Sequence, residues 1–563
     1  MKKALRLSFL ACMLTLLSTP IALGAPPQQT LDSMAKELER NQKNLSVPGY
    51  PPPYYLSYLL RDTKEASVIA RNGAPILRRE DHRKLVFADV RVGSFELDNT
   101  EDPYPGMDMP NMFKPFQAAA PLVDDDRALR RTLWAITDNE YKKAVASYLK
   151  IKAQGIYEET APSFKGSFSK AQSAQYIAQE RPFIESLESF EKTTGEISTM
   201  LEEVPEIFES AVAFTAVHHD RYFVNSEGTR LFLSDTYYSF SVQATARGED
   251  GAIIPHALVL YSRSLKEIPT REELEKQVKL LIEELVALAK APVMPPYNGP
   301  ALLEGDTAGV FLHEALGHRL EGHRQNQEDE GGTFRGKLGD LILPESISIV
   351  DDPTLETREG MEMNGYYRYD DEGVPAQRVL LVDRGKLSGF LMTRRPTEDF
   401  KTTNGHARAS GLQRPVARMG TLMLESTNLL SREEMKKRLV ALAKKQGKPY
   451  AIILRRAASG ATNTSAWGFQ AFKGVARLVY RVDVETGEET LVRGVELVGT
   501  PLSSLMKIVA VGGDVSVFNG YCGAESGFVP VSTVTPSLLL EELEFQKAPQ
   551  IREKKEILPP PTL

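Results

Sequence analysis

The segment "TREELEKQVKLLIEELVALAK", residues 270–290, does most to fix how this chain can fold. Leu274, Val278, Leu281, Ile282, Leu285, Leu288 and Ala289 recur at the helical period and trace one apolar face. Thr270, followed three residues later by Glu273, is a capping-box start. The helix ends at "APVMPPYNGP", whose prolines cannot continue it, so a domain boundary is expected there. Upstream, helical and strand periods alternate; downstream the pattern is β-rich. This predicts an α+β chain, with an N-terminal mixed helix and antiparallel-sheet domain over 25–295 and a β-rich C-terminal domain over 296–546. A chain of 563 residues is long enough for two such cores.

In the first half a helix is expected from Gln29 to Asn44, then a Pro-rich break at "VPGYPPPYY" and a strand in "RKLVFADVRVGSFEL". The stretch "DDDRALRRTLWAITDNEYKKAVASYLKIKAQG" places acidic residues ahead of an apolar stripe, which suits an amphipathic helix. "RYFVNSEGTRLFL" reads as a hairpin around a turn. In the second half "RVLLVDRGKLSGFL" and "ARLVYRVDVETGEETLV" read as hairpins around Gly-containing turns. The tail 547–563, ending "LPPPTL", is expected to be disordered.

The first 24 residues carry Lys2, Lys3 and Arg6, then a short apolar run and Pro20, the pattern of a bacterial secretory signal cleaved after Gly24. The competing reading, a membrane anchor, wants roughly 20 predominantly apolar residues, and Ser8, Thr15, Ser18, Thr19 and Pro20 interrupt this run. The expectation is a periplasmic or secreted protein with no stable membrane insertion. Losing the leader moves the formal charge from -7 to -10, and neither value suggests a nucleic-acid surface. It also removes Cys12. Cys522 is then alone, without an intramolecular disulfide partner: buried and inert, reactive, or bound to metal.

"FLHEALGHRLEGHR", residues 311–324, holds three of the eight histidines. Zinc proteases commonly use H-E-x-x-H, because an i,i+4 pair shares one helix face. Here Gly317 occupies the place of the second histidine, and His313 and His318 are five apart. At about 100° per residue they would diverge by roughly 140°. They meet only if the helix, capped by Asp306 or Thr307, departs from α geometry through a π-type bulge or a distortion that Gly317 permits. The competing reading is a solvated surface helix. Glu314 directly follows His313, the order in which zinc proteases place their general base. His323 is read as a surface group or as one behind the metal ligands. Two imidazoles alone make an incomplete zinc site.

"EGDTAGVFLHEALGHRLEGH" resembles the signature of the TldD/PmbA family of metallopeptidases, on the TldD side that keeps the histidines. The resemblance continues through "DDEGVPAQRVLLVDRGKLSGFL", "TNGHARAS" (which contains His406), "GVELVGTPLSSLMKIVAVGGD" and "GYCGAESGFVPVSTVTPSLLL", covering most of 305–540. It implies one zinc per chain, held by His313, His318 and Cys522, with Glu314 as the catalytic base and a fourth position for water. It implies hydrolysis of extended or unfolded peptides; backbone N-H groups in the Gly-rich segments near Gly512 and Gly523 are candidates for the oxyanion donors. It also implies a homodimer, or a heterodimer with a related metal-free subunit. The alternative is a peptide-binding assembly subunit that does not cut. The sequence departs from the family where an aspartate commonly stands at His323, and where "CGAESGFVP" replaces the usual C-G-K-E-G-Q.

Overall fold

In the computed structural model the described residues are 26–101, 117–157, 166–326, 332–410, 414–464 and 471–552. The proposed leader and residues 553–563 lie outside them.

The N-terminal half is one sheet, antiparallel except for a short parallel edge strand at Gln175–Ile177, with four helices on a single face. Helix α1 (Pro27–Asn44) leads into the hairpin β1 (Pro53–Arg71) and β2 (Ala74–Val92). Helix α2 (Asp126–Tyr157) and helix α3 (Glu188–Glu202) come next. The hairpin β3 (Ile207–Asn225) and β4 (Arg230–Arg247) follows, then β5 (Ile253–Ser262) and α4 (Arg271–Lys290). The main order across the sheet is β2-β1-β3-β4-β5.

Side chains alternate across a strand, so the parity of residue numbers sorts the two faces. Even-numbered residues such as Tyr58, Val68, Phe214, Val224, Phe232 and Val242 lie under the helices. Tyr58, Val224 and Phe232 pack with α1 and α2 at one end, and Val68, Phe214 and Val242 with α3 and α4 at the other. The odd-numbered face carries Arg61, Thr63, His219, Arg221 and Asp235 and turns toward the C-terminal half.

The C-terminal half begins with β6 (Tyr297–Leu303) and α5 (Asp306–Ala315), followed by β7 (Ile347–Asp351), β8 (Thr421–Ser426) and α6 (Arg432–Lys445). It continues with β9 (Tyr450–Thr462), β10 (Phe472–Asp483), β11 (Val495–Gly499), β12 (Ile508–Ala524) and β13 (Gly527–Lys547). β6 pairs in parallel with β9 and antiparallel with β13. Since β9 joins β10, β10 joins β11 and β11 joins β13, five strands close on themselves. Helix α5 packs against this ring. Its residues Thr307–Ala315 are buried on every side, as expected of a helix that is apolar all round. Phe311 meets Phe472 edge-to-face at 5.3 Å between ring centroids.

The capping box of α4 is present in full: the Thr270 hydroxyl accepts from Glu273 N-H while Glu273 accepts from Thr270 N-H. In "RVLLVDRGKLSGFL" the strands Val379–Asp383 and Lys386–Leu387 flank a two-residue turn at Arg384 and Gly385, both with positive φ, as a tight hairpin requires. β13 ends at Lys547, but the chain beyond it stays tied: Ala548 N-H donates to Gly494 O, and Ile253 N-H to Ile551 O. Among the described residues no helix is long and apolar enough to cross a membrane.

Candidate metal centre

Helix α5 does not continue through the histidine motif. It ends at Ala315; Leu316 leaves helical geometry at φ -121° and ψ -53°, and a 3-10 turn runs from Gly317 to Leu320. His313 thus stands on the last turn of an α-helix and His318 in a tighter turn that bends back toward it. Their rings lie 4.9 Å apart and nearly perpendicular. Of the two departures expected, a π-type bulge is absent and a break beside Gly317 is present: the spacing of five is met by stopping the helix.

Gly317 matters for room rather than for a left-handed backbone. A Cβ there would lie 2.2 Å from Sδ of the fully buried Met419. The helix start also differs from expectation. Gly305, at φ +54°, is the N-cap residue, with no side-chain cap from Asp306 or Thr307. That conformation favours glycine.

Cys522 arrives from β12, more than two hundred residues later in the chain. Across the β12–β13 hairpin it pairs with Val529, and its thiol points at both imidazoles. Nε2 of His313 is 3.1 Å from Sγ, and Nε2 of His318 is 3.4 Å from it. The three donor atoms lie within 4.8 Å of one another. Burial alone would raise the Cys522 thiol, but the two imidazoles outweigh it and hold the group well below its ordinary value. Two imidazole nitrogens and a thiol disposed toward the thiolate form a donor set suited to zinc.

Glu314 shares this buried corner. Burial raises its carboxyl above the ordinary value, against the opposing pull of His313 and His318. Its side chain lies along β9 at Gly460, where a Cβ would come within 2.4 Å of Glu314 Cγ. Arg319 fixes the backbone here, donating from Nη1 to Glu314 O at 2.7 Å and to Thr462 Oγ1 at 2.8 Å.

Behind the histidines stands Glu321, fully buried and not singled out from sequence. Its Oε1 is 3.2 Å from His318 Nδ1, so His318 turns Nε2 toward the thiol. Arg324 donates from Nε to Oε2 at 2.9 Å, and Nε of Arg418 stands 3.5 Å from Oε1. Although burial opposes ionisation, His318 and Arg324 hold the Glu321 carboxyl far below its usual range. Arg418 also donates to Cys522 O at 2.6 Å and to Gly527 O at 2.9 Å, tying the histidine loop to the cysteine hairpin. The signal for Glu321 was its place three residues after His318 and three before Arg324.

His323 is not at the surface. It is buried, and its Nε2 is 2.5 Å from Glu525 Oε1; Arg324 also donates to Glu525, from Nη2 to Oε2 at 3.1 Å. His323, which stands where the family commonly has an aspartate, therefore meets Glu525, a residue that the C-G-K-E-G-Q pattern shares. His406 is fully buried elsewhere, 3.2 Å from Asp351 Oδ1. Of the two glycines considered for the oxyanion, Gly523 adjoins Cys522. Gly512 lies ten residues up the strand, on the order of 30 Å away at strand rise, and pairs with Leu430.

Residues 297–547 match the family model described as the PmbA/TldA metallopeptidase C-terminal domain. A metalloprotease of Methanothermobacter thermautotrophicus is 30% identical over 334 residues, 59% of this chain and 68% of that protein. Two further relatives named metalloproteases are spanned over 56% and 66% of their own lengths. A protein of Saccharolobus solfataricus named zinc metalloprotease TldD homolog is 21% identical over 64% of this chain and 75% of its own length. Among solved structures, TldE of Thermococcus kodakarensis superposes with a TM-score of 0.60 at 13% identity, over 91% of this chain and all of that one. At that identity the likeness is one of fold.

Proposed function

We propose that this chain, which belongs to the TldD/PmbA family, is a zinc-dependent peptidase acting on extended or unfolded peptides. The observation that carries the reading is the convergence of His313, His318 and Cys522 beside the buried Glu314. A subunit that only bound peptide would have no need to bury two imidazoles, a thiol and a carboxyl together.

His313 and His318 through Nε2, and Cys522 through Sγ, would hold the ion, and three protein donors leave a fourth position open for water or substrate. Bound zinc supplies Lewis acidity, acidifying water and polarising a carbonyl. Glu314, whose burial raises its pKa and so makes its carboxylate a stronger base, would take a proton from water and return it to the leaving amine. Glu321, with Oε1 3.2 Å from Nδ1, favours the orientation of the His318 ring that turns Nε2 toward the thiol. β9 pairs with β10 through Gly460 but with β6 only as far as Leu454, so its other edge beyond Leu454 is where an extended backbone could run past Glu314.

Partnership with a related subunit, as a homodimer or a TldD/TldE-type heterodimer, and export after cleavage at Gly24 complete the proposal. The test is Glu314→Gln on purified mature protein. Cleavage of an unfolded peptide should fall by at least about a hundredfold, on the scale of general acid–base catalysis, with one zinc per chain retained. Undiminished cleavage would remove Glu314 from the reaction. A metal-free wild type that binds peptide intact even after zinc is added back would favour the assembly-subunit reading instead.

A further inference from the structure

Between the odd-numbered face of the N-terminal sheet and the C-terminal half lies a cavity of about 680 Å³. It is separate from the donor set. Tyr521 lines it, while the next residue on β12, Cys522, points the other way; neither the two histidines nor Glu314 contributes to its wall.

Its charge is unbalanced. Arg61, Arg83, Arg221 and Arg408 line it, against three carboxyls, Asp235, Asp370 and Asp371. Asp371 is shared by Arg61 at 2.9 Å and Arg221 at 2.8 Å. Asp235 is shared by Arg221 and by Arg263. Asp370 is held well above its ordinary range, first by burial and then by Glu372. Arg408 donates only to the carbonyls of Met419 and Pro530, and among the described residues no carboxylate pairs with it. Arg61 Nε, buried, has no hydrogen-bond partner among the described residues. A chain of net charge -7 has thus gathered an excess of guanidinium in a half-enclosed space, where an uncompensated charge is costly.

The remaining wall is aromatic. Tyr521 faces Tyr237 and Tyr261, with ring centroids 6.5 and 6.0 Å apart, and Phe528 at the hairpin tip is 71% exposed. Tyrosine and arginine together offer broad apolar contact with charge-assisted hydrogen bonding, the combination that dominates binding hot spots.

We propose that this inter-domain cavity is a second ligand site, taking a small aromatic carboxylate of the kind a peptide presents at an aromatic C-terminal residue. The site stands whether or not the chain is a peptidase, because it uses none of the proposed metal ligands.

Calorimetric titration of the full-length mature protein with N-acetyl-L-tyrosine, and with the uncharged N-acetyl-L-tyrosinamide, tests it. The carboxylate should bind at least about tenfold more tightly than the amide, the scale of one charge-assisted hydrogen bond. That preference should fall below about threefold in Arg408→Gln and shrink in Arg83→Gln, an exposed position whose change spares the fold. A chelator should leave both affinities unchanged. Equal affinity for acid and amide, or a preference that survives both substitutions, overturns the proposal. Binding abolished by the chelator would place the ligand at the metal centre and overturn it equally.

Discussion

Glu321 and Asp371 are both buried carboxylates shared among cations, yet they are assembled in opposite ways. Glu321 takes His318 and Arg324 from three residues away on either side, with Arg418 from a distant loop. Asp371 takes both of its arginines from the other half of the molecule. Arg61 and Arg221 stand directly opposite each other on β1 and β3, a like-charged cross-strand pair that would repel. The C-terminal half supplies the carboxylate that makes the pair tolerable. A local cluster can orient one ring as soon as its loop forms, whereas in the distant cluster Arg221 has Asp235 of its own half but Arg61 finds its carboxylate only when the two halves dock. The first therefore suits tuning a site, and the second suits holding two bodies in one arrangement.

The sharpest break in that contrast is Asp371→Asn. It leaves two buried guanidiniums facing each other and should cost about 3–5 kcal/mol of stability in urea unfolding, with zinc content unchanged. Leu281→Ala, under the apolar face of the same sheet, should cost about 2–5 kcal/mol through a cavity. Were Asp371→Asn to cost much less than this, the inter-domain pairs would belong with weak surface ion pairs. Glu321→Gln should keep the fold and lower zinc affinity by roughly 10–100-fold, read by chelator competition. Unaltered affinity would reduce Glu321 to a structural counter-ion.

The smallest effect concerns His219, beside the Asp371 arginines. Burial, then Arg61 and Arg221, lower its pKa from 6.5 to about 3. Below pH 6.5 the unfolded chain takes up a proton that the folded chain refuses. This contribution is complete above pH 6.5 and declines toward pH 3, by at most about 1.4 kcal/mol per pH unit. His219→Gln should flatten the fall in stability between pH 7 and pH 5; an unchanged slope would assign it to other groups.

Periodic and capped elements were legible in the sequence. The stripe and capping box of α4, the acidic start of α2 and the hairpin turn at Gly228 appear where local rules place them. β1 was not legible. Its outer half alternates apolar residues with Arg61, Thr63 and Glu65, whose surroundings come from β3 and the other half of the chain. The four residues of the candidate site were named through the resemblance, which takes three from one motif and Cys522 from another; cysteine count and spacing alone left the third ligand open. The geometry joining them could not be read that way. Gly317 is demanded by Met419, a hundred residues on, and His323 is buried by Glu525, two hundred residues on. Spacing reports a residue's own helix, and these constraints come from other segments.

The pairing of β6 with β13 sets a timetable for folding. The opening strand of the C-terminal ring is completed by strand residues as late as Phe545, and the two imidazoles face their thiol only once β12 is in place. Contacts of such sequence separation form late, after long loops have closed. A ribosome must therefore deliver the chain at least as far as β12 before the donor set can exist, and a chain still being made holds its two imidazoles without their thiol.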